Sequence, residues 1–172
     1  MASAATSGTS APRGPITARQ AILTGWLLCG VLDITAACLQ AWTQAGRAPA
    51  DVLRGVASAL WGRAAITAGP GMAAIGLAMH FTVALTATLI FYALSRRVDA
   101  LRAAPLWIAG PLYGVVVFCA MNYGTLPALS WLRSLYLETP ARWPGPMSWP
   151  QLGIHMVCVG PPIAWGVRRA GQ

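Results

Sequence analysis

The stretch RQAILTGWLLCGVLDITAACLQAW, residues 19–42, decides the fold class of this chain. Apart from Arg19 at its start, it contains one charged side chain, that of Asp33. At a rise of 1.5 Å per residue, a helix of this length crosses a hydrocarbon core of about 30 Å. The stretch therefore predicts a transmembrane helix. No convincing cleavage site follows it, so we expect the helix to be retained.

The composition of the whole chain indicates the same class of protein. Of 172 residues, 56% are hydrophobic and 9% are charged, whereas a soluble domain has about 25% charged residues. All 12 basic residues are arginines, and they lie mainly at the ends of apolar runs. Because they form no basic face with interleaved aromatic residues, we expect no binding of nucleic acid.

Three further apolar runs predict additional membrane spans at about residues 72–94, 105–129 and 151–167. The last run is short and contains Gly160-Pro161-Pro162, which predicts a tilted or kinked helix. Residues 1–15 are rich in small and polar side chains and predict a disordered tail. The predicted fold is therefore all-α, a polytopic four-helix bundle that forms a single transmembrane domain over residues 16–169.

A fifth helix is expected at about residues 49–63, between the first two spans. Pro49 suits a first helical turn, and Asp51 is favoured near the positive end of the helix dipole. Val52, Val56 and Leu60 recur every four residues, as in an amphipathic helix that lies at the membrane interface.

The arginines also predict an orientation, because basic residues close to membrane spans are enriched on the cytoplasmic side. Compact basic groups occur at 96–102 and at 168–169, and seven of the 12 arginines fall on the side of the amino terminus. These seven are Arg13, Arg19, Arg96, Arg97, Arg102, Arg168 and Arg169. We therefore expect both termini to lie in the cytoplasm.

Each predicted span contains one polar side chain that is costly inside a membrane. Residue counting places these four side chains at a similar depth, and three of them lie on stripes of mostly small residues, where membrane helices approach one another. Such side chains are expected to face protein or water rather than lipid. The candidate buried site consists of Asp33, His80, Asn122 and His155.

Three functions are compatible with this polar layer. An acid and two imidazoles at one depth can handle protons or a small cation. Alternatively, the four side chains fix helix packing in a structural or accessory protein. As a second alternative, they bind a metal or haem, with Cys119 or Cys158 as a soft ligand. Tyr123 is a further secondary candidate, while metal identity and cofactor stay open.

Catalysis is not expected, because the sequence contains no GxSxG, GxxxxGK[ST] or GxGxxG motif and no pair of intramembrane acids. The expected partner is the lipid bilayer. A homodimer is a further possibility, because four short helices leave little room for a path through one bundle.

Several short stretches of the chain form a recognisable set, namely GVLDI (30–34), PADVLRGVASALWG (49–62), HF (80–81), LSRR (94–97), PLYG (111–114), MNY (121–123) with Leu126-Pro127, and H....GPPIAW (155–165). Together these stretches resemble a family of small, uncharacterised bacterial inner-membrane proteins with four spans, and the resemblance implies a location in the bacterial inner membrane. They are also loosely similar to YagU-type proteins. The resemblance implies a four-span membrane protein and supplies no activity or ligand.

Overall fold

The computed structural model describes residues 15–137, 139–141 and 147–170, and all regular secondary structure within these residues is helical. Apart from Pro15, the predicted disordered tail lies outside the described residues. The all-α fold class predicted from the sequence is confirmed.

Three long helices are apolar and long enough to cross a membrane. The first is α1 (Ala18–Ala45), and the second is α4 (Pro70–Ser95). The third runs without a break from Leu106 to Leu137. It consists of α6 (Leu106–Cys119), a π-helical segment (Ala120–Thr125) and α7 (Leu126–Leu137).

The third helix extends beyond its predicted end near residue 129. The sequence ALSWLRSLYL that follows Pro127 contains neither glycine nor proline, so nothing in it interrupts the helix. Trp131 and Tyr136 lie beyond that predicted end and are helical.

Shorter helices join these three or follow them. Between α1 and α4 lie α2 (Pro49–Trp61) and α3 (Ala64–Thr67). The basic loop after α4 contains α5 (Asp99–Ala103). The carboxyl-terminal segment comprises α8 (Trp149–Ile154), a π-helical segment (His155–Val159) and α9 (Gly160–Arg168).

The carboxyl-terminal segment is helical from Trp149 to Arg168, but it is not among the three helices that satisfy the criteria of length and apolarity. Gln151, His155 and the two prolines lower its apolar character. The segment nevertheless packs against α1, α4 and α6, and most of α9 is buried. Pro161 and Pro162 cannot donate backbone hydrogen bonds to the preceding turn, where the chain adopts its wider π-helical form.

The distribution of exposed side chains suits a lipid environment. Large apolar residues stay exposed on the long helices, among them Leu39 (62%) and Leu112 (60%). The buried positions of α1 are instead the small residues Ala21, Gly25, Cys29 and Gly30. Small residues allow close approach of membrane helices, while large apolar groups face lipid at no cost.

Candidate functional site

A cavity of about 430 Å³ lies between α1, α2, α4, the long third helix and the carboxyl-terminal segment. All four residues of the predicted polar layer line this cavity. The rest of its wall is mainly apolar, with side chains such as Ile34, Val83 and Met121. The fold thus brings the four polar residues to one cavity between the helices.

Asp33 and His80 form the closest polar pair of this layer. Their side chains are largely buried, and His80 Nδ1 lies 3.8 Å from Asp33 Oδ2. The other ring nitrogen, His80 Nε2, lies 2.9 Å from the carbonyl oxygen of Gly30. The His80 ring also packs edge-on against Phe81, with ring centroids 5.5 Å apart.

The Gly30 contact determines which nitrogen of His80 carries a proton. A carbonyl oxygen only accepts hydrogen bonds, so Nε2 must be the donor. In neutral His80, Nδ1 is then an unprotonated acceptor that faces Asp33. A single proton between the two groups gives either neutral aspartic acid beside neutral imidazole, or carboxylate beside imidazolium.

The second oxygen of the Asp33 carboxyl group has no compensating partner. Oδ1 is buried, and no described residue donates a hydrogen bond to it. An unpaired carboxylate oxygen in an apolar interior is costly. The environment of Asp33 therefore favours a hydrogen-bond donor or a cationic group beside this oxygen.

Asn122 and His155 are held by their own helices. Asn122 Nδ2 donates to the carbonyl oxygen of Phe118 at 2.9 Å, and His155 Nδ1 lies 2.8 Å from the carbonyl oxygen of Gln151. His155 Nδ1 is therefore the donor, which leaves Nε2 as the acceptor nitrogen of the neutral ring. No described residue forms a hydrogen bond with that nitrogen.

Both residues lie in π-helical segments, Asn122 in 120–125 and His155 in 155–159. A π-helical turn inserts one extra residue and occurs frequently at functional sites. Neither π-helical segment was predicted from the sequence, although the proline pair at 161–162 was a usable signal for the second one.

Two further parts of the cavity wall were absent from the sequence prediction. Gln151 lines the cavity and donates a hydrogen bond from Nε2 to Gln40 Oε1 at 2.7 Å. The apolar stripe of α2, including Val52 and Val56, also faces the cavity. The four-residue spacing in α2 was a signal of an apolar face, but it did not reveal what that face contacts.

The secondary candidates lie apart from this cavity. Tyr123 and Cys119 are exposed, and Cys158 is half-buried without lining the cavity, whereas Cys29 does line it. Among the described residues, no group of three or more His, Cys, Asp or Glu side chains is arranged to hold a metal ion. The donor geometry therefore gives no support to the predicted metal site, and the Gly30 contact occupies the His80 nitrogen that commonly ligates haem.

Outside the long helices, Asp51 and Arg54 form an ion pair near the start of α2. The hydrogen bond from Arg54 holds the pKa of the exposed Asp51 carboxyl below its ordinary value. Asp51 also accepts a hydrogen bond from the backbone nitrogen of Ala48 at 3.2 Å. These contacts close the first turn of α2, which supplies one wall of the cavity.

No protein-family model, curated protein or solved structure matches this chain. Its function is therefore inferred from the composition and geometry of the cavity.

Proposed function

We propose that the chain is a four-span protein in which Trp149–Arg168 forms the fourth transmembrane helix. A Cβ atom built on Gly166 would meet the backbone of Gly25 at 2.4 Å and the carbonyl oxygen of Ala21 at 3.2 Å. At the other end of this segment, Gln151 donates a hydrogen bond to Gln40 of α1. From Ala21 to Gln40, α1 rises about 28 Å, close to the thickness of a hydrocarbon core.

The proposed location is the bacterial inner membrane, with both termini in the cytoplasm. Arg168 donates hydrogen bonds to the carbonyl oxygens of Leu101 and Ala104, so the carboxyl-terminal end of α9 adjoins the basic loop after α4. The contact between Gly166 and Ala21 puts the start of α1 at the same end. This clustering of arginines supports a cytoplasmic face.

The helix α2 is assigned to the opposite membrane interface in this proposal. It packs against α4 and α7, and Arg133 of α7 donates hydrogen bonds to the carbonyl oxygens of Ser58 and Ala59. Its apolar residues cover the cavity, while the Asp51–Arg54 pair suits a polar boundary. Placed in this way, α2 closes the polar layer from the outer side.

The activity proposed for the cavity is the handling of protons, with Asp33 and His80 as the exchanging pair. The observation that carries the proposal is the 3.8 Å approach of His80 Nδ1 to Asp33 Oδ2, with Nε2 held by the Gly30 carbonyl oxygen. One proton has two acceptors, the anionic carboxylate and the neutral imidazole nitrogen, and an intramembrane ionisable pair of this kind is typical of proton relays.

Proton flux into liposomes that contain the purified protein and a trapped pH-sensitive dye tests this proposal. We expect flux above that of empty liposomes and a return to the empty-liposome rate in Asp33→Asn. Asp99→Asn is the matched control, because Asp99 lies in the exposed loop and pairs with Arg102. Equal flux in wild-type and empty liposomes, or unchanged flux in Asp33→Asn, would contradict it.

A structural role for the same residues is the second candidate. The His80–Gly30 hydrogen bond joins α4 to α1, as does donation from Trp26 Nε1 to the carbonyl oxygen of Phe81 at 2.8 Å. Interhelical bonds of this kind contribute about 0.6 kcal/mol each. If packing is the only role, His80→Gln lowers the melting temperature while the flux stays at the empty-liposome level in wild type and variant alike.

A further inference from the structure

We propose that the cavity binds a small apolar molecule with a cationic amine, and that Asp33 provides its counter-ion. This inference rests on the proposed function in one respect, because it requires Asp33 to give up its share of the proton. It adds the chemical class of a ligand, which the proton proposal does not require.

The size and lining of the cavity fit such a ligand. Its volume of about 430 Å³ falls in the range of about 300–1,000 Å³ typical of small-molecule sites. Apolar side chains from four elements form most of its wall, including Ile34 of α1, Val56 of α2, Val83 of α4 and Leu129 of α7. An aliphatic or aromatic body of modest size is complementary to this surface.

The charge preference follows from the polar groups on the wall. Among the described residues that line the cavity, Asp33 is the one acidic residue and none is an arginine. The Oδ1 atom of Asp33 has no hydrogen-bond donor among the described residues. Rotation about the soft Cβ–Cγ torsion presents either carboxyl oxygen to a ligand, and an ammonium group supplies the missing donor.

Amine binding is expected to compete with the proton of the Asp33–His80 pair. Whether that proton lies on Asp33 or on His80 Nδ1, a bound ammonium takes over neutralisation of the carboxylate. The protonated protein and the ammonium ligand then give the complex and one free proton. The other titratable groups near the pair are the thiols of Cys29 and Cys158 and the imidazole of His155.

Isothermal titration of the detergent-solubilised protein with 4-phenylbutylamine tests the inference. The neutral alcohol 4-phenylbutan-1-ol has nearly the same shape and serves as the matched ligand. We expect the amine to bind at least about tenfold tighter than the alcohol, a difference of about 1.4 kcal/mol.

Two variants distinguish the contribution of the Asp33 charge to binding from the contribution of the cavity space. Asp33→Asn is expected to remove the amine preference and to keep the affinity for the alcohol, which also shows that the cavity is intact. Gly55→Leu adds a side chain to the cavity wall where a built Cβ meets nothing within 4 Å. This variant is expected to weaken both ligands, while Asp99→Asn is expected to bind both like the wild type.

Equal affinities of amine and alcohol for the wild-type protein would overturn the inference, as would an unchanged amine preference in Asp33→Asn. Tighter binding of 4-phenylbutyrate than of the amine would also overturn it, because the imidazoles would then set the charge preference. The liposome flux is measured without any amine, so the two proposals fail separately. Flux without amine binding would contradict only the ligand inference. Amine binding without flux would contradict only the proton proposal.

Discussion

Gly160 and Gly110 lie so close together that a Cβ atom built on Gly160 would fall 1.8 Å from the carbonyl oxygen of Gly110. The adjacent pair is equally tight, since a Cβ atom on Gly114 would lie 2.2 Å from the carbonyl oxygen of His155. In both pairs the obstructing atom belongs to the backbone, so rotation of a side chain cannot relieve the contact. These glycines hold the π-helical segment 155–159 against α6 and thereby fix His155 at the cavity.

Replacing Gly160 is therefore expected to disrupt packing of the carboxyl-terminal segment. Overpacking of a tight interior costs about 1–3 kcal/mol, so we expect Gly160→Ala to lower the melting temperature of the detergent-solubilised protein. Gly153→Ala is the control, because a Cβ atom at Gly153 meets nothing within 4 Å and alanine favours the helix by about 1 kcal/mol. Equal melting temperatures for the two variants would show that the Gly110–Gly160 contact is not as close as described.

Arg168 is expected to order the basic loop after α4. Its guanidinium donates to the carbonyl oxygens of Ala104 and Leu101, the first at 2.7 Å. Arg168→Gln shortens the side chain and removes these charge-assisted hydrogen bonds, so we expect faster amide hydrogen exchange across α5. Arg169→Gln is the comparison, since Arg169 lies over the Trp165 ring. Exchange rates that change equally in both variants would argue against a specific role for Arg168.

The Asp51 carboxyl group is expected to make stability at the start of α2 dependent on pH. Its pKa is lower in the folded protein than its ordinary value, mainly because of the hydrogen bond from Arg54. The carboxylate consequently contributes stability above the ordinary pKa, and this contribution is lost as the pH falls through the lowered folded value. Thermal unfolding of wild type and Asp51→Asn is expected to differ near neutral pH and to converge in acid.

The Asp51 effect should be small because the group is exposed and its ion pair is screened by solvent. A difference between wild type and Asp51→Asn that grows as the pH falls would contradict the assigned direction.

The sequence was sufficient to predict the helical membrane class and to select four polar residues that line one cavity. Asp33 and His80 stood out because few polar groups occur within long apolar runs, where each carries a high free-energy cost. The face that each helix turns to its neighbours was harder to predict from the sequence. Tyr123 follows Asn122 directly, yet it is exposed while Asn122 lines the cavity.

Two features limited the prediction of the cavity. The π-helical segments add a residue per turn, so residue counting along a regular helix loses its register there. The position of α2 depends on distant contacts, such as the approach of Leu53 to Gly76, where a built Cβ would lie 1.9 Å from the Leu53 carbonyl oxygen. Local periodicity identifies an apolar face but not the surface that covers it.

The most direct test of the central claim, that Asp33 and His80 share one exchangeable proton, is nitrogen NMR of protein labelled with ¹⁵N-histidine. The chain contains two histidines, so two imidazoles are observed. We expect neutral His80 to carry its proton on Nε2, which lies at the carbonyl oxygen of Gly30, and we expect Asp33→Asn to change the chemical shift of His80 Nδ1 while leaving His155 unchanged. A neutral His80 that carries its proton on Nδ1, or a His80 Nδ1 chemical shift identical in wild type and Asp33→Asn, would contradict the claim.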